Sequence, residues 1–225
     1  DELNKKYVKA QAEGKIKNPR ENILVFTTMH NGILHFNTTR VIKYNPTDVF
    51  DITKAEIEAR EQVFEIFDFI KQNAKSFKNA FLLNTAPEIG VRESRMIKGK
   101  YTLCKEDLIN CVKFEDSIAA CCYDIDIHNP EGTGTTYHFF KTGEYYTIPY
   151  RCLCPEKIEN LLVAGRCISS THEAQASYRI MPTVCALGQA AGVGAAVAYK
   201  QKSNVSDADI KKIREILIKN KAVID

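Results

Sequence analysis

Three sets of residues in this 225-residue chain could do chemistry. The first is the glycine set Gly188, Gly192 and Gly194, in an Ala-rich stretch that follows Arg179 and Pro182. A glycine inside a helix costs about 1 kcal/mol relative to alanine, so bare backbone there implies close approach by a neighbouring element or by a ligand. A helix start has unpaired N–H groups and positive dipole character, and one approached through Arg179 and Pro182 suits a carbonyl or phosphate oxygen. The second set holds acid–base candidates. Asp126 and His128 fall on one side of an alternating segment, and His172 lies in a polar loop ahead of the glycine-bearing helix, where an imidazole could move a proton near neutral pH. Satisfied structural or solvated roles compete for all three. The third set is the eight cysteines, at 104, 111, 121, 122, 152, 154, 167 and 185. None makes a C-x-x-C pair, and Cys121-Cys122 and Cys152-x-Cys154 are poor zinc spacings. Reduced thiols of a cytoplasmic protein are therefore expected, with no metal site.

The elements that must position these residues are legible in outline. Residues 161–164, all apolar, read as a strand ended by Gly165, and the residues after Pro182 as a helix. Upstream, a charged helix stops at Gly14, and the runs Ile23 to Met29 and Ile33 to Asn37 flank His30-Asn31-Gly32 as a hairpin whose second strand could extend to Ile42. Thr53 to Glu56 has capping-box form and predicts an amphipathic helix over about 54–73. Phe81 to Leu83, Ile118 to His128 and Tyr145 to Ile148 read as strands, NPEGTGTT as a loop and Lys105 as near a helix start. A last helix opens at Ser206 to Asp209, with Ile210, Ile213, Ile216 and Leu217 as its stripe.

Composition excludes some classes. With 31 basic and 28 acidic residues and no basic block interleaved with aromatics, a nucleic-acid surface is not indicated. No uninterrupted apolar run reaches a membrane span, and no signal peptide is visible.

Several motifs carry a resemblance. Asn160 to Arg166 read NLLVAGR, Ser177 and Arg179 form Ser-x-Arg, Pro182 follows, and Gly188 to Gly192 read GQAAG; upstream lie GVRESR at Gly90 to Arg95 and G-x-Y-x-L at Gly99, Tyr101 and Leu103, followed by Asp107. The chain thus resembles the C-terminal part of FAD-dependent oxidoreductases with a glutathione-reductase-like FAD domain. The resemblance implies an α+β fold: an antiparallel-sheet substrate domain with helices over 1–150, then over 151–225 the last strand and helix of a bipartite Rossmann-like FAD domain plus a terminal helix. It implies a flavin that accepts hydride from an organic substrate. Gly165, Arg166, Ser177, Arg179, Pro182, Gly188, Gln189, Ala190 and Gly192 would surround the ribitol and ring. Tyr150, Arg151, Arg95, His128 and His172 would orient a small-molecule substrate or move a proton. Where the wider superfamily has an acid after Ala-Gly, this chain has Arg166.

No G-x-G-x-x-G turn is present to hold the FAD diphosphate. The chain therefore reads as a fragment, expected to bind FAD weakly or not at all by itself and to be inactive alone, with self-association possible through its exposed FAD-domain remnant. Two rivals stand beside this reading. One is a non-catalytic binding or oligomerisation module; the other is a cysteine-based metal or redox protein.

Overall fold

In a computed structural model, which describes residues 2–128 and 135–225, packing divides the chain into two units: Asp1–Val91 with His128–Gly134, and Arg92–Ile127 with Thr135–Asp225. That division concerns packing alone, and the expected boundary at residue 150 concerns which part serves substrate and which serves cofactor. Six helices among the described residues and three small two-stranded sheets make the fold mixed α+β, as expected.

In the first unit, α1 (Glu2–Ala12) ends where glycine permits it. Gly14, at φ +71°, turns its own N–H to the Gln11 carbonyl and lets Lys15 N–H reach the Ala10 carbonyl, both at 2.9 Å. The hairpin is present as β1 (Val25–Thr27) and β2 (Leu34–Phe36), antiparallel with Phe26 opposite His35. Its connection is longer than Asn31-Gly32, because the Thr28 hydroxyl accepts from His30 N–H and donates to the Ile33 carbonyl, closing a six-residue loop. The second strand stops at Phe36 rather than running to Ile42. Beyond it side chains replace the ladder: the Thr38 hydroxyl pairs with both backbone groups of Leu24, and the Gln62 amide with both of Arg40.

The long helix, α2 (Val49–Asn73), starts five residues before the expected position. Asp48 is the cap, its carboxylate accepting from Phe50 and Asp51 N–H at 2.9 and 3.0 Å, whereas the Thr53 hydroxyl donates back to the Val49 carbonyl inside the helix. Asp48→Ala should therefore cost about 1 kcal/mol in urea unfolding and Thr53→Ala much less; the reverse ranking would return the cap to Thr53. Ile66, Phe69 and Ile70 of α2 bury against Tyr7, whose ring meets Phe69 edge-to-face at 5.6 Å. Residues 81–83, expected as a strand, are irregular and exposed.

In the second unit, α3 (Lys105–Ile109) starts as expected, with the Asp107 carboxylate accepting from Cys104 N–H at 3.0 Å. Strands β3 (Ser117–Cys121) and β6 (Tyr146–Pro149) pair antiparallel, Cys121 opposite Tyr146. The single strand expected from Ile118 through His128 is broken at residues 122–124, and β4 (Ile125–His128) joins β5 (Thr135–His138) in a separate sheet. The break has a local cause: the Asp124 carboxylate accepts from Phe140 N–H at 2.9 Å, drawing the backbone off the β3 line. Residues 129–134 of the expected loop and the His128 side chain lie outside the described residues, so the Asp126–His128 pairing is not described.

The segment 161–164 is irregular rather than a strand, its Val163 N–H bonded to the Leu153 carbonyl at 2.9 Å. The expected polar loop after it contains a helix, α4 (His172–Tyr178), capped by the Thr171 hydroxyl. Helix α5 (Met181–Gln201) has Pro182 in its first turn, as predicted. At 21 residues it is long and apolar enough, by length and composition, to cross a membrane, although no unbroken apolar run was apparent in the sequence. Here Leu187, Ala190 and Val197 are buried, and the helix packs on β3 and α6. The terminal helix α6 (Ile210–Lys219) is capped by Asp209 instead of Ser206, which sits in a preceding 3-10 turn, and it buries Ile213 and Leu217 completely. Arg214 donates to the Ser117 carbonyl and pairs with Asp225, while Ala120 N–H reaches the Val223 carbonyl at 3.1 Å.

Candidate functional site

Two stretches far apart in sequence are laced together in the second unit. Ile97 N–H donates to the Cys167 carbonyl at 3.0 Å, Lys100 N–H to Cys154 at 2.8 Å, and Leu103 N–H to Ser169 at 3.1 Å. Gly99 makes the approach possible, since a Cβ there would lie 2.7 Å from that of Ser169. Arg92 and Glu93 are thereby carried alongside α4.

Helical spacing then decides which side chains meet it. His172, Gln175 and Arg179, the residue after α4, are three and seven positions apart and share one face. The buried Gln175 amide donates to the Arg92 carbonyl at 2.8 Å and holds that backbone in place. One residue on, the Glu93 carboxylate is bonded to His172 Nδ1. At the other end of the face, the Arg179 guanidinium donates to the Asp126 carbonyl at 3.3 Å, and the Asp126 carboxylate stands 4.0 Å from Arg92. Burial lowers the pKa of Arg179, and the neighbouring Arg92 charge lowers it further, against an opposing influence of Asp126. The result is a cluster of one imidazole, two carboxylates and two guanidiniums.

Tyr150 and Arg151 lie elsewhere. Tyr150 is buried, its hydroxyl donating to the Val205 carbonyl at 2.9 Å, and burial holds its pKa well above the usual value. Arg151 pairs with Asp116 at 2.9 Å and stacks on the Tyr101 ring. Both line an open groove of about 650 Å³ with Asp116, Phe114 and Ile210. Arg95 is exposed.

Of the expected cofactor residues, Ser177 and Ala190 are packed away from solvent. The Ser177 hydroxyl shares a hydrogen bond with Tyr146 at 2.7 Å and donates to the Tyr123 carbonyl. Arg179 is half-buried in the cluster above, and the rest are less enclosed. Gly165 sits at φ +102° with nothing within 4 Å of the space a Cβ would take, and the same space is open at Gly188 and Gly192. Arg166, Pro182 and Gln189 are exposed. Only Gly194 meets the close approach that the glycines implied: a Cβ there would lie 2.4 Å from Tyr150 Oη and 2.7 Å from the ring.

Comparison with known families bears on this arrangement. The family described as FAD dependent oxidoreductase matches residues 1–217. The chain belongs to that family. No curated protein and no solved structure matches it. FAD is accordingly the cofactor of the family to which this oxidoreductase chain belongs. The residues present fit such a group: a glycine turn with bare backbone, a helix start at exposed Met181 and Pro182 with no side-chain cap, and two outward glycines one turn apart. All eight cysteines are free thiols, and among the described residues no three His, Cys, Asp or Glu side chains gather as a metal site.

Sequence reasoning missed Glu93 and Gln175 as partners because it took residues 167–181 for a loop. Thr171 followed by Glu173 and alternating alanines was the available sign of a helix start.

Proposed function

We propose that this chain supplies the substrate side, over residues 1–150, and the last flavin-contacting segment, over 151–225, of a glutathione-reductase-like FAD oxidoreductase that takes hydride from a small organic substrate. One observation carries the reading: within a single helix Gly194 is spent on the core, while Gly188 and Gly192 face outward with open space above them. Neither outward glycine serves the packing of its own unit. Bare backbone at both therefore needs an occupant outside it.

When bound, the flavin supplies two-electron acceptor chemistry. This chain's part is to offer the Gly165 turn and the start of α5 to electron-rich oxygens, with Arg166 and Gln189 as flanking donors, and to hold substrate at the polar groups described above. The diphosphate and adenine need a G-x-G-x-x-G unit, so residues 1–225 alone should bind FAD weakly or not at all and lack activity. Eight free thiols support a cytoplasmic location as part of this reading.

The test is to express the longest in-frame polypeptide that contains these residues and to purify it beside the chain alone. The expected result is a yellow protein with one FAD per chain whose loading falls at least tenfold for Gly188→Val. A colourless protein that takes up no FAD would overturn the proposal. It would favour the interaction-module reading, which the 80% and 85% exposure of Met181 and Tyr199 on α5 supports. That reading is checked by sedimentation.

A further inference from the structure

We propose that Glu93 and His172 form a proton-accepting pair for a small hydroxyl-bearing organic anion, whose charge is held by Arg179 in the field of Arg92. The pair's catalytic use rests on the flavoenzyme reading above; its binding chemistry does not.

The argument begins with the imidazole. Free neutral histidine carries its proton on Nε2 more often than on Nδ1, and the tautomer present is set by what the other nitrogen bonds. Here the Glu93 carboxylate, an acceptor only, is bonded to Nδ1 and so selects the tautomer with the proton there. Nε2 is left as the acceptor, on a side chain that is 54% exposed and so reachable by a ligand. Glu93 is the positioning residue. Its backbone is held through its neighbour Arg92, whose carbonyl takes the amide of the buried Gln175. When Nε2 takes a hydroxyl proton, the imidazole becomes a cation beside the Glu93 carboxylate and the ligand oxygen keeps the electron pair. The carboxylate stabilises the cation, which is the usual reason for pairing the two groups.

The choice of an anion comes from the far end of the same helix face. Seven residues of helix rise place Arg179 about 10 Å along the axis from His172. Its guanidinium donates one bond to the Asp126 carbonyl, a neutral group, and a guanidinium has five N–H donors. Burial strips water from this guanidinium and Arg92 adds repulsion, against Asp126, Tyr123 and Glu93, so a carboxylate that accepts from its N–H groups restores part of the solvation it has lost. A ligand of several carbons, with a hydroxyl toward Nε2 and a carboxylate toward Arg179, matches both ends.

The experiment uses the chain of residues 1–225 with 15N-labelled histidine and arginine, and malate, succinate and glycerol as probes. Three results are expected. His172 has its proton on Nδ1, and Glu93→Gln returns it mainly to Nε2. Malate shifts the His172 Nε2 and Arg179 Nε resonances, succinate shifts Arg179 alone, and glycerol shifts neither. Arg179→Gln weakens malate at least tenfold, whereas Glu93→Gln changes it less than threefold. An unchanged tautomer in Glu93→Gln would overturn the pairing. Equal shifts from glycerol, or no malate shift at tens of millimolar, would overturn the anion assignment. Because none of these signals needs flavin, they can fail while the polypeptide of the flavin test is yellow, or hold while it is colourless.

Discussion

Gly194→Ala should destabilise the second unit by about 1–2 kcal/mol and Gly194→Val by more than 3, while Gly188→Ala and Gly192→Ala should each stabilise it by up to about 1. All three sites lie in one helix, so propensity favours alanine equally at each. What differs is the space. At Gly194 the new Cβ would sit 2.4 to 2.9 Å from the hydroxyl and two ring atoms of Tyr150. That ring is buried and its hydroxyl is tied to the Val205 carbonyl, so it has no free direction in which to retreat. Overpacking of this kind costs about 1–3 kcal/mol, which exceeds the gain of about 1 from helix propensity. Valine adds two methyl groups and a stiff χ1. Urea unfolding followed by circular dichroism gives the ranking directly. Equal stability of the Gly194 and Gly192 alanine variants would mean that Tyr150 does not pack against α5.

The second large effect is alkaline. Burial pushes the Cys152 thiol up to about 12 and the Cys154 thiol up to about 11, and it raises the phenols of Tyr146, Tyr150 and Tyr178 well above their ordinary range. In the unfolded chain the thiols ionise near their usual value of about 8.5. Between that pH and about 11 the native state holds protons that the unfolded state has released, so the unfolded state binds fewer and stability falls as pH rises. The contribution is complete below about 8.5, is lost at up to about 1.4 kcal/mol per pH unit for each thiol, and is gone above the folded values. Urea midpoints at pH 7.5, 9.5 and 10.5 should therefore drop steeply. Cys154→Ala should lower the midpoint at pH 7.5 yet flatten its fall between 9.5 and 10.5. A wild-type midpoint that holds steady to pH 10.5 would show that these thiols are not buried.

How far the sequence disclosed this arrangement depended on the range of the interactions involved. Where one residue's own backbone preference or a short repeat decides, the reading succeeded: Gly14 ended α1, Asn31-Gly32 marked the hairpin, Pro182 opened α5, and the Ile213 and Leu217 stripe made α6. Where two local signals competed, it chose the wrong one. Asp48 and Thr53 are both plausible caps, and only the observed bonds separate them. Tertiary context was out of reach. Apolar residues 161–164 have a strand's composition, but a strand needs a partner with matching register, and Leu153 offers one bond instead of a ladder. The site shows the same limit. The motif positions of Arg92, Arg179 and His172 were visible in the sequence. The bond between Glu93 and His172, 79 residues apart, depends on Gly99 letting two segments touch.

The way β3 is finished bears on how fast this protein can reach its native state. Its ladder partner β6 lies about thirty residues downstream, while Ser117 donates to the Ile224 carbonyl across 107 residues. Closing loops of that length costs entropy before any contact repays it, and folding slows as the mean sequence separation of contacts grows. The hairpin pairs Phe26 with His35 only nine residues on, and α1 meets α2 across 62 residues at Tyr7 and Phe69, both shorter than the 107 that tie Ser117 to Ile224. The two units should therefore acquire structure on separate timescales, the second more slowly, with the edge of β3 uncovered until residues 223–225 arrive. An uncovered strand edge invites pairing with other chains, so refolding yield should fall as protein concentration rises.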